Sequence, residues 1–311
     1  MENMTAAVLT VSDSAAQGTR ADASGPTVAE VLKQKGFAVI AARVVADDRG
    51  AIEPALKNPG HFSSWQLLLN IYLFSIRIYG DFCGYTDIAR GVSLLMGFHL
   101  VENFRFPYFS IGIQDFWRRW HMSLSQWLRD YLYISLGGNR GGELKTYRNL
   151  MLTMVLGGLW HGANWSFVFW GTLHGGYLAI GRMTGAYFDR WMEATRKVGL
   201  YPVAAGVAMF LTFHMITFTW IFFVITDFHV AFEYIRGLFA FTYSPDSNRL
   251  RLFLYGLSVL LFIDLPESLT GRHNYLASQP WPLRAAMYAC FLILLTCTWT
   301  KNYEPFIYFQ F

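Results

Sequence analysis

Charge is what this chain has least of. Of its 311 residues, 15% are Asp, Glu, Lys or Arg, where a soluble globular protein carries about 25%. The net charge is +4 with no block of like sign, which excludes a basic arm for nucleic acid. Cysteine is scarce as well. Cys83, Cys290 and Cys297 are the only three, too few for a disulfide-stapled secreted scaffold, and they read as core. HExxH and CxxC spacings are absent, so no zinc site is expected. A P-loop, a GxGxxG turn and a GxSxG elbow are absent too. Met1–Thr10 has neither the basic start nor the apolar core of a secretory signal. What the chain has in excess is apolar side chain, 54%, of which a third is aromatic. A disordered chain would show the opposite balance. Much of this surface belongs in lipid.

The averages conceal a split. Residues 1–60 hold one aromatic, Phe37, while Trp, Tyr and His all lie beyond them. Two kinds of polymer meet near Asn58–Gly60, which predicts a short α/β piece over 1–58 and a membrane part over 59–311. Ala6–Val11 and Phe37–Val45 read as strands. Between them, Pro26 opens a helical pattern that Gly36 stops, and Asp47–Asn58 looks like a second helix start interrupted by Pro54. This is the opening βαβ of a parallel sheet. With two strands it cannot bury both faces, so it is expected to be marginal alone.

AAVLTVSDS followed by SGPTVAEVLKQKGFAVIAARVVADDRGAIEPALK resembles the start of the molybdopterin-binding MoaB/Mog family, over about the first 57 residues. The resemblance implies a cofactor-site acid at Asp47. The family's glycine-rich loop does not follow, and from Pro59 the sequence changes character. The piece is expected to be a remnant of a fusion rather than a working cofactor site.

Several later stretches are long and apolar enough to cross a bilayer, which takes about 20 residues as a helix. Residues 149–181 are free of charge, and at 1.5 Å per residue they span roughly 50 Å, more than one crossing needs. A break is predicted at GGLWHGAN. Residues 198–226, 283–300 and, with Arg77 and Asp81 inside it, Trp65–Phe82 are further candidates, and Arg251–Pro266 is a short one. About five to seven membrane segments are expected. Lys and Arg are scattered among the loops and fix no orientation.

Ionisable groups in apolar sequence are costly and ask for a reason. In Gln114–Asn139, Trp117, Trp120, Leu124, Trp127 and Tyr131 recur every three or four residues, predicting one aromatic helix face with His121 on its flank. Asp115 and Arg119 form an i,i+4 pair, and Arg118 and Arg129 add positive charge. An interfacial helix with snorkelling arginines explains the charges but not the histidine. In Gly157–Asn164, His161 sits inside the uncharged run, and Gly157, Gly158 and Gly162 leave room for another backbone or a substrate to approach. His161 fits a neutral general base and fits equally a histidine bonded across helices. His174 is a weaker version of the same pattern, and His214 reads as a structural donor or acceptor.

GDFCGYTDIARG (80–91), LVENFRFPYFS (100–110), FWRRWHMSLSQWLRDYLYISLGGNR (116–140), GGLWHGANWSFVFWGTLHG (157–175) and NYEPFIYFQF (302–311) together resemble the membrane-bound O-acyltransferase family, nearest its alginate O-acetylase branch. The resemblance runs from about residue 62 to the C-terminus. It implies a mainly α, polytopic transmembrane protein of a bacterial inner membrane. It implies transfer of an acyl group, usually acetyl, from a thioester donor to a hydroxyl of a polysaccharide or of a periplasmic acceptor protein. The donor, acetyl-CoA or an acyl carrier, is a co-substrate, and no bound cofactor or metal is expected. The family's essential histidine falls on His161 and its second histidine on His121. Arg118, Arg119, Trp120, Ser125 and Asn164 are the candidates for holding donor or substrate. Two departures stand out. Family members carry a further set of membrane helices before the GYTDIA segment, where this chain has the α/β piece, and Cys83 stands where a Ser is common.

Three alternatives remain open at this level: a transporter using buried His and Arg as a polar path, a molybdenum-cofactor protein resting on the N-terminal piece, and an inactive truncated chimera. Dependence on a thioester donor separates the acyltransferase from the first two.

Overall fold

The computed structural model describes residues 5–11, 38–45, 52–271, 278–286 and 289. The chain divides into two compact units. One comprises Met1–Glu53, Ile78–Leu100 and Pro280–Phe311, the other Pro54–Arg77 and Val101–Gln279. The helical pattern after Pro26, Asp47, most of 283–300 and the 302–311 block lie outside the described residues.

In the first unit, β1 (Thr5–Val11) pairs in parallel with β2 (Ala38–Val45), with Thr5 opposite Ala38 and Val11 opposite Val45. Both strands fall where the apolar runs place them. The short helix α1 (Glu53–Lys57) carries Pro54 in its first turn. Pro54 therefore starts this helix instead of interrupting it, because a first-turn residue needs no N–H donor.

Helix α2 (Ser64–Leu95) has its first part, up to Arg77, in the second unit and is tied down there at its start. Ser64 donates through Oγ to the Gly237 carbonyl, 2.7 Å, and its N–H donates to Thr242 Oγ1, 3.0 Å. The aromatic segment that follows is not one helix. It splits into α3 (Ile113–Trp117), α4 (Met122–Trp127) and a π-helical turn, Leu128–Tyr133. The break is His121, which takes a left-handed conformation with φ 43°. The expected single aromatic face is thereby divided. Trp120 is buried at 2% exposure, while Trp127 and Tyr131 are 52% and 69% exposed. The spacing continued across the break, but the rotation did not.

The uncharged run folds as the expected hairpin, α5 (Glu143–His161) and α6 (Trp165–Lys197), turning at Gly162–Asn164. Its helices touch backbone to backbone. A Cβ on Gly158 would overlap the Phe167 carbonyl, and one on Gly171 would overlap the Met154 carbonyl. Small residues at such contacts are how helices approach closely where no water drives them together. Glu143 and Arg182 close the open end of the hairpin with two hydrogen bonds of 3.0 Å.

Helix α7 (Tyr201–Val224) packs on α6, and α8 (Phe228–Leu238), α9 (Ser247–Phe262) and α10 (Asp264–Thr270) complete the described part. Val203, Val207, Phe210, Leu211 and Met215 form an exposed apolar stripe along α7. Among the described residues two helical stretches are long and apolar enough to cross a membrane, Tyr201–Val224 and Ser247–Thr270. That is fewer than the sequence suggested. Helix α5 begins with Glu143, Lys145 and Arg148, and α6 is polar beyond Arg182, so neither is apolar throughout.

Candidate active site

His161 ends α5 and is half-buried. Its imidazole meets the ring edges of Trp170 at 5.3 Å and Phe223 at 5.1 Å, and Trp160 beside it in sequence at 5.1 Å. The hairpin turn brings α6 back so that Trp170 can reach it. Asn164 makes that turn. Its Oδ1 accepts from the Ser166 N–H at 2.9 Å and caps α6.

His121 is buried and stacks on Phe104, with ring centroids 6.4 Å apart. Asn103 holds the break open. Its carbonyl accepts from the Met122 N–H at 2.9 Å, and its Oδ1 accepts from the Ser123 N–H and hydroxyl at 3.2 and 2.9 Å. These bonds satisfy N–H groups that the first turn of α4 leaves unmet. A non-glycine residue held at positive φ costs of order 1–3 kcal/mol and persists where its surroundings impose it. Trp170 lies between His161 and a third histidine, His174, with ring centroids 5.3 and 4.6 Å away.

An aromatic cluster joins them. Trp120 lies 5.2 Å from Trp220, Trp220 stacks on Trp170 at 6.1 Å, and Trp220 meets Phe223 at 5.3 Å. Trp220 and Phe223 are each 1% exposed. In a surrounding this poor in water, fixed dipoles act on a charge more strongly than they do in solvent. Ser166 Oγ, Trp170 Nε1 and Trp220 Nε1 are buried there without a hydrogen-bond partner. Such burial costs about 1–3 kcal/mol per group.

The other expected site residues separate into two sets. Trp120 joins the cluster. Arg119 is engaged elsewhere, donating to Asp115 Oδ1 at 2.9 Å with its guanidinium 5.3 Å from the Phe106 ring centroid. Ser125 Oγ donates to the Trp120 carbonyl at 3.1 Å. Arg118 is exposed and lines a cleft of about 440 Å³ together with Asp115, Asp189, Glu193, Arg196 and Tyr201. Among the described residues no group of three His, Cys, Asp or Glu side chains could hold a metal. Sequence reasoning missed Asn103, Trp170, Trp220 and Phe223. The signal for the tryptophans was their place in the middle of apolar runs, away from the interfaces where Trp collects.

Comparison with known proteins identifies the family. The family model for the membrane-bound O-acyltransferase family matches residues 40–228, and that for a probable molybdopterin binding domain matches residues 7–62. A probable alginate O-acetylase AlgI of Pseudomonas putida is 40% identical over 281 residues, 83% of this chain and 55% of the relative. The protein of that name from Pseudomonas aeruginosa is 45% identical over 205 residues, 66% of this chain and 37% of the relative. A peptidoglycan O-acetyltransferase of Helicobacter pylori is 43% identical over 165 residues, 53% of this chain and 30% of the relative. The chain spans about half the length of the P. putida relative, and less of the other two. The chain belongs to the membrane-bound O-acyltransferase family. Its mainly helical fold and its exposed apolar helix stripe accord with that membrane-bound family.

Proposed function

We propose that the chain transfers an acetyl group from a thioester donor, acetyl-CoA or an acyl carrier, to hydroxyls of a cell-surface polysaccharide of the alginate type, directly or through a periplasmic acceptor protein. It would act as a multi-pass protein of a bacterial inner membrane. The observation that carries the reading is His161. It is a half-buried imidazole at a hairpin turn, walled by Trp160, Trp170 and Phe223. The names of the P. putida and H. pylori relatives support an O-acetyl product.

The acceptor hydroxyl oxygen attacks the thioester carbonyl carbon while His161 takes the hydroxyl proton. The new C–O bond gives a tetrahedral oxyanion. When it collapses the C–S bond breaks, and the leaving thiolate takes the proton back from His161. Ester and thiol are the products, and the imidazole returns to its starting state. In this reading His121 and nearby polar groups orient the donor or stabilise the developing charge. Arg118, exposed in its cleft, is in this reading the candidate to meet the polar part of the donor. Trp120 and Asn164 shape the site around them, Ser125 bonds to the Trp120 carbonyl, and Arg119 is held away by Asp115. No resident cofactor takes part. Asp47, the remnant of a cofactor site, plays no role in this reading.

Transfer of labelled acetyl from a thioester in membranes carrying the chain tests the proposal. Ester-linked label on polysaccharide or on an acceptor protein is expected. Substrate movement across the membrane with no thioester requirement would favour a transporter instead.

A further inference from the structure

His174 lies one turn beyond Trp170 on α6 and is fully buried, with 0% exposure. Both of its ring nitrogens are engaged. Trp117 Nε1–H lies 3.3 Å from Nδ1, and Thr219 Oγ1 lies 3.0 Å from Nε2. An indole N–H only donates, so Nδ1 is the acceptor. Thr219 Oγ1 gives its own proton to the Ile216 carbonyl, 2.7 Å away. Nε2 must therefore carry the hydrogen and donate to Thr219. One neutral tautomer satisfies the whole chain of bonds.

The connections run through three elements. Trp117 belongs to α3, four residues before His121. His174 belongs to α6, and Thr219 to α7. Trp170 sits between the two histidines, 4.6 Å from the His174 ring and 5.3 Å from the His161 ring, and the Trp117 ring packs on it at 5.9 Å. We propose that His174 is a positioning residue for the acyl transfer: by joining Trp117 to Thr219 it fixes the Trp170 ring against His161 and holds the His121 break at its side. This rests on the reaction proposed above. His174 exchanges no proton in the reaction, because both of its nitrogens are already bonded and the ring is closed off.

The effect belongs to geometry. Misplacing a catalytic group by about 1 Å can lower a rate on the order of a hundredfold. In His174→Phe the ring volume stays and both hydrogen bonds go. Trp117→Phe removes only the bond at Nδ1, and Thr219→Val only the one at Nε2. Membranes carrying each full-length variant are assayed for acetyl transfer, for thermal stability in detergent, and for the rate at which diethyl pyrocarbonate carbethoxylates His161, read by mass spectrometry. The expected result for any variant that stays folded is a fall in kcat of about tenfold or more with KM little changed, and a His161 labelling rate altered at least threefold. The Trp117→Phe and His174→Phe effects should be less than additive, because they act through one bond. His174→Gln, which keeps a donor toward Thr219, should restore part of the rate.

A folded His174→Phe or Trp117→Phe protein with kcat and His161 labelling both within twofold of the parent would overturn the inference. Labelling decides the matter even if the parent transfers nothing. If His161 itself proves dispensable for transfer, the proposed function fails, whatever His174 does.

Discussion

Gly158 lies so close to the carbonyl of Phe167 that a single methyl group would not fit between α5 and α6. That contact sets the distance between His161, three residues on, and Trp170, three residues past Phe167. Gly158→Ala is expected to destabilise the hairpin by about 1–3 kcal/mol, as overpacking does. It should also lower transfer activity by moving His161 off Trp170. Thermal unfolding in detergent reads the first effect and the acetyl assay the second. Gly176, with nothing near its Cβ position, is the matched control and should tolerate Ala.

Asn103 should matter more than its place in a loop suggests. It accepts from the Ser123 N–H and hydroxyl and so caps α4. Asn103→Ala should cost about 0.5–2 kcal/mol, the range for lost helix caps. His121 would then be free to leave its left-handed conformation, and kcat should fall while His161 labelling stays. A variant with parent kcat would show that the break does not depend on this cap.

Two sequence readings met the structure differently, for one physical reason. The hairpin was legible because its signals are local: a charge-free run too long for one crossing, and glycines beside a histidine in its middle. The strands of residues 5–11 and 38–45 were legible for the same reason. The helix break at His121 was not. Nothing within Phe116–Trp127 forbids a helix there, and the break is imposed from Asn103, nearly twenty residues away. The aromatic cluster escaped notice likewise, because Trp170 and Trp220 meet only after α6 and α7 pack. His161 and His121 stand out in the sequence by their apolar and aromatic flanks, and the family resemblance supplies their roles; His174 shows a weaker form of the same pattern, and Trp117 reads as part of one aromatic helix face.

The outward stripe of α7 tests the membrane reading. Val207 is 47% exposed and lies between Val203 and Phe210 on that stripe. In a helix facing lipid, Val207→Lys should disfavour insertion by about 2.5–3.5 kcal/mol if the position lies near the bilayer centre. Fractionation should then show a clear loss from membranes. In a water-facing helix the same change would be neutral. Thr212→Val, on the buried side, should instead leave insertion intact and lose the 2.8 Å bond from the Gly112 N–H.

Glu143 and Arg182 give a pH-dependent contribution outside the uncharged run. The hydrogen bond from Arg182, followed by one from Tyr147, holds the Glu143 carboxyl below its ordinary range. A carboxylate with a depressed pKa in the folded protein stabilises it above its unfolded pKa, and that contribution is lost as pH falls through the folded value. Detergent-solubilised protein should thus lose Tm on acidification below the ordinary Glu range. Glu143→Gln should remove that part of the loss. The pair is exposed, so the effect at neutral pH should be small. Identical acid profiles for parent and Glu143→Gln would assign the loss to other groups.

The central claim concerns His161, and one comparison tests it most directly. Membranes with equal amounts of the parent chain and of His161→Gln are given a labelled acetyl thioester, and ester-linked label is counted. Glutamine keeps a polar side chain at the turn but cannot accept a proton as imidazole does. The account predicts label on the acceptor with the parent and none above background with His161→Gln. Equal label from the two chains would contradict it.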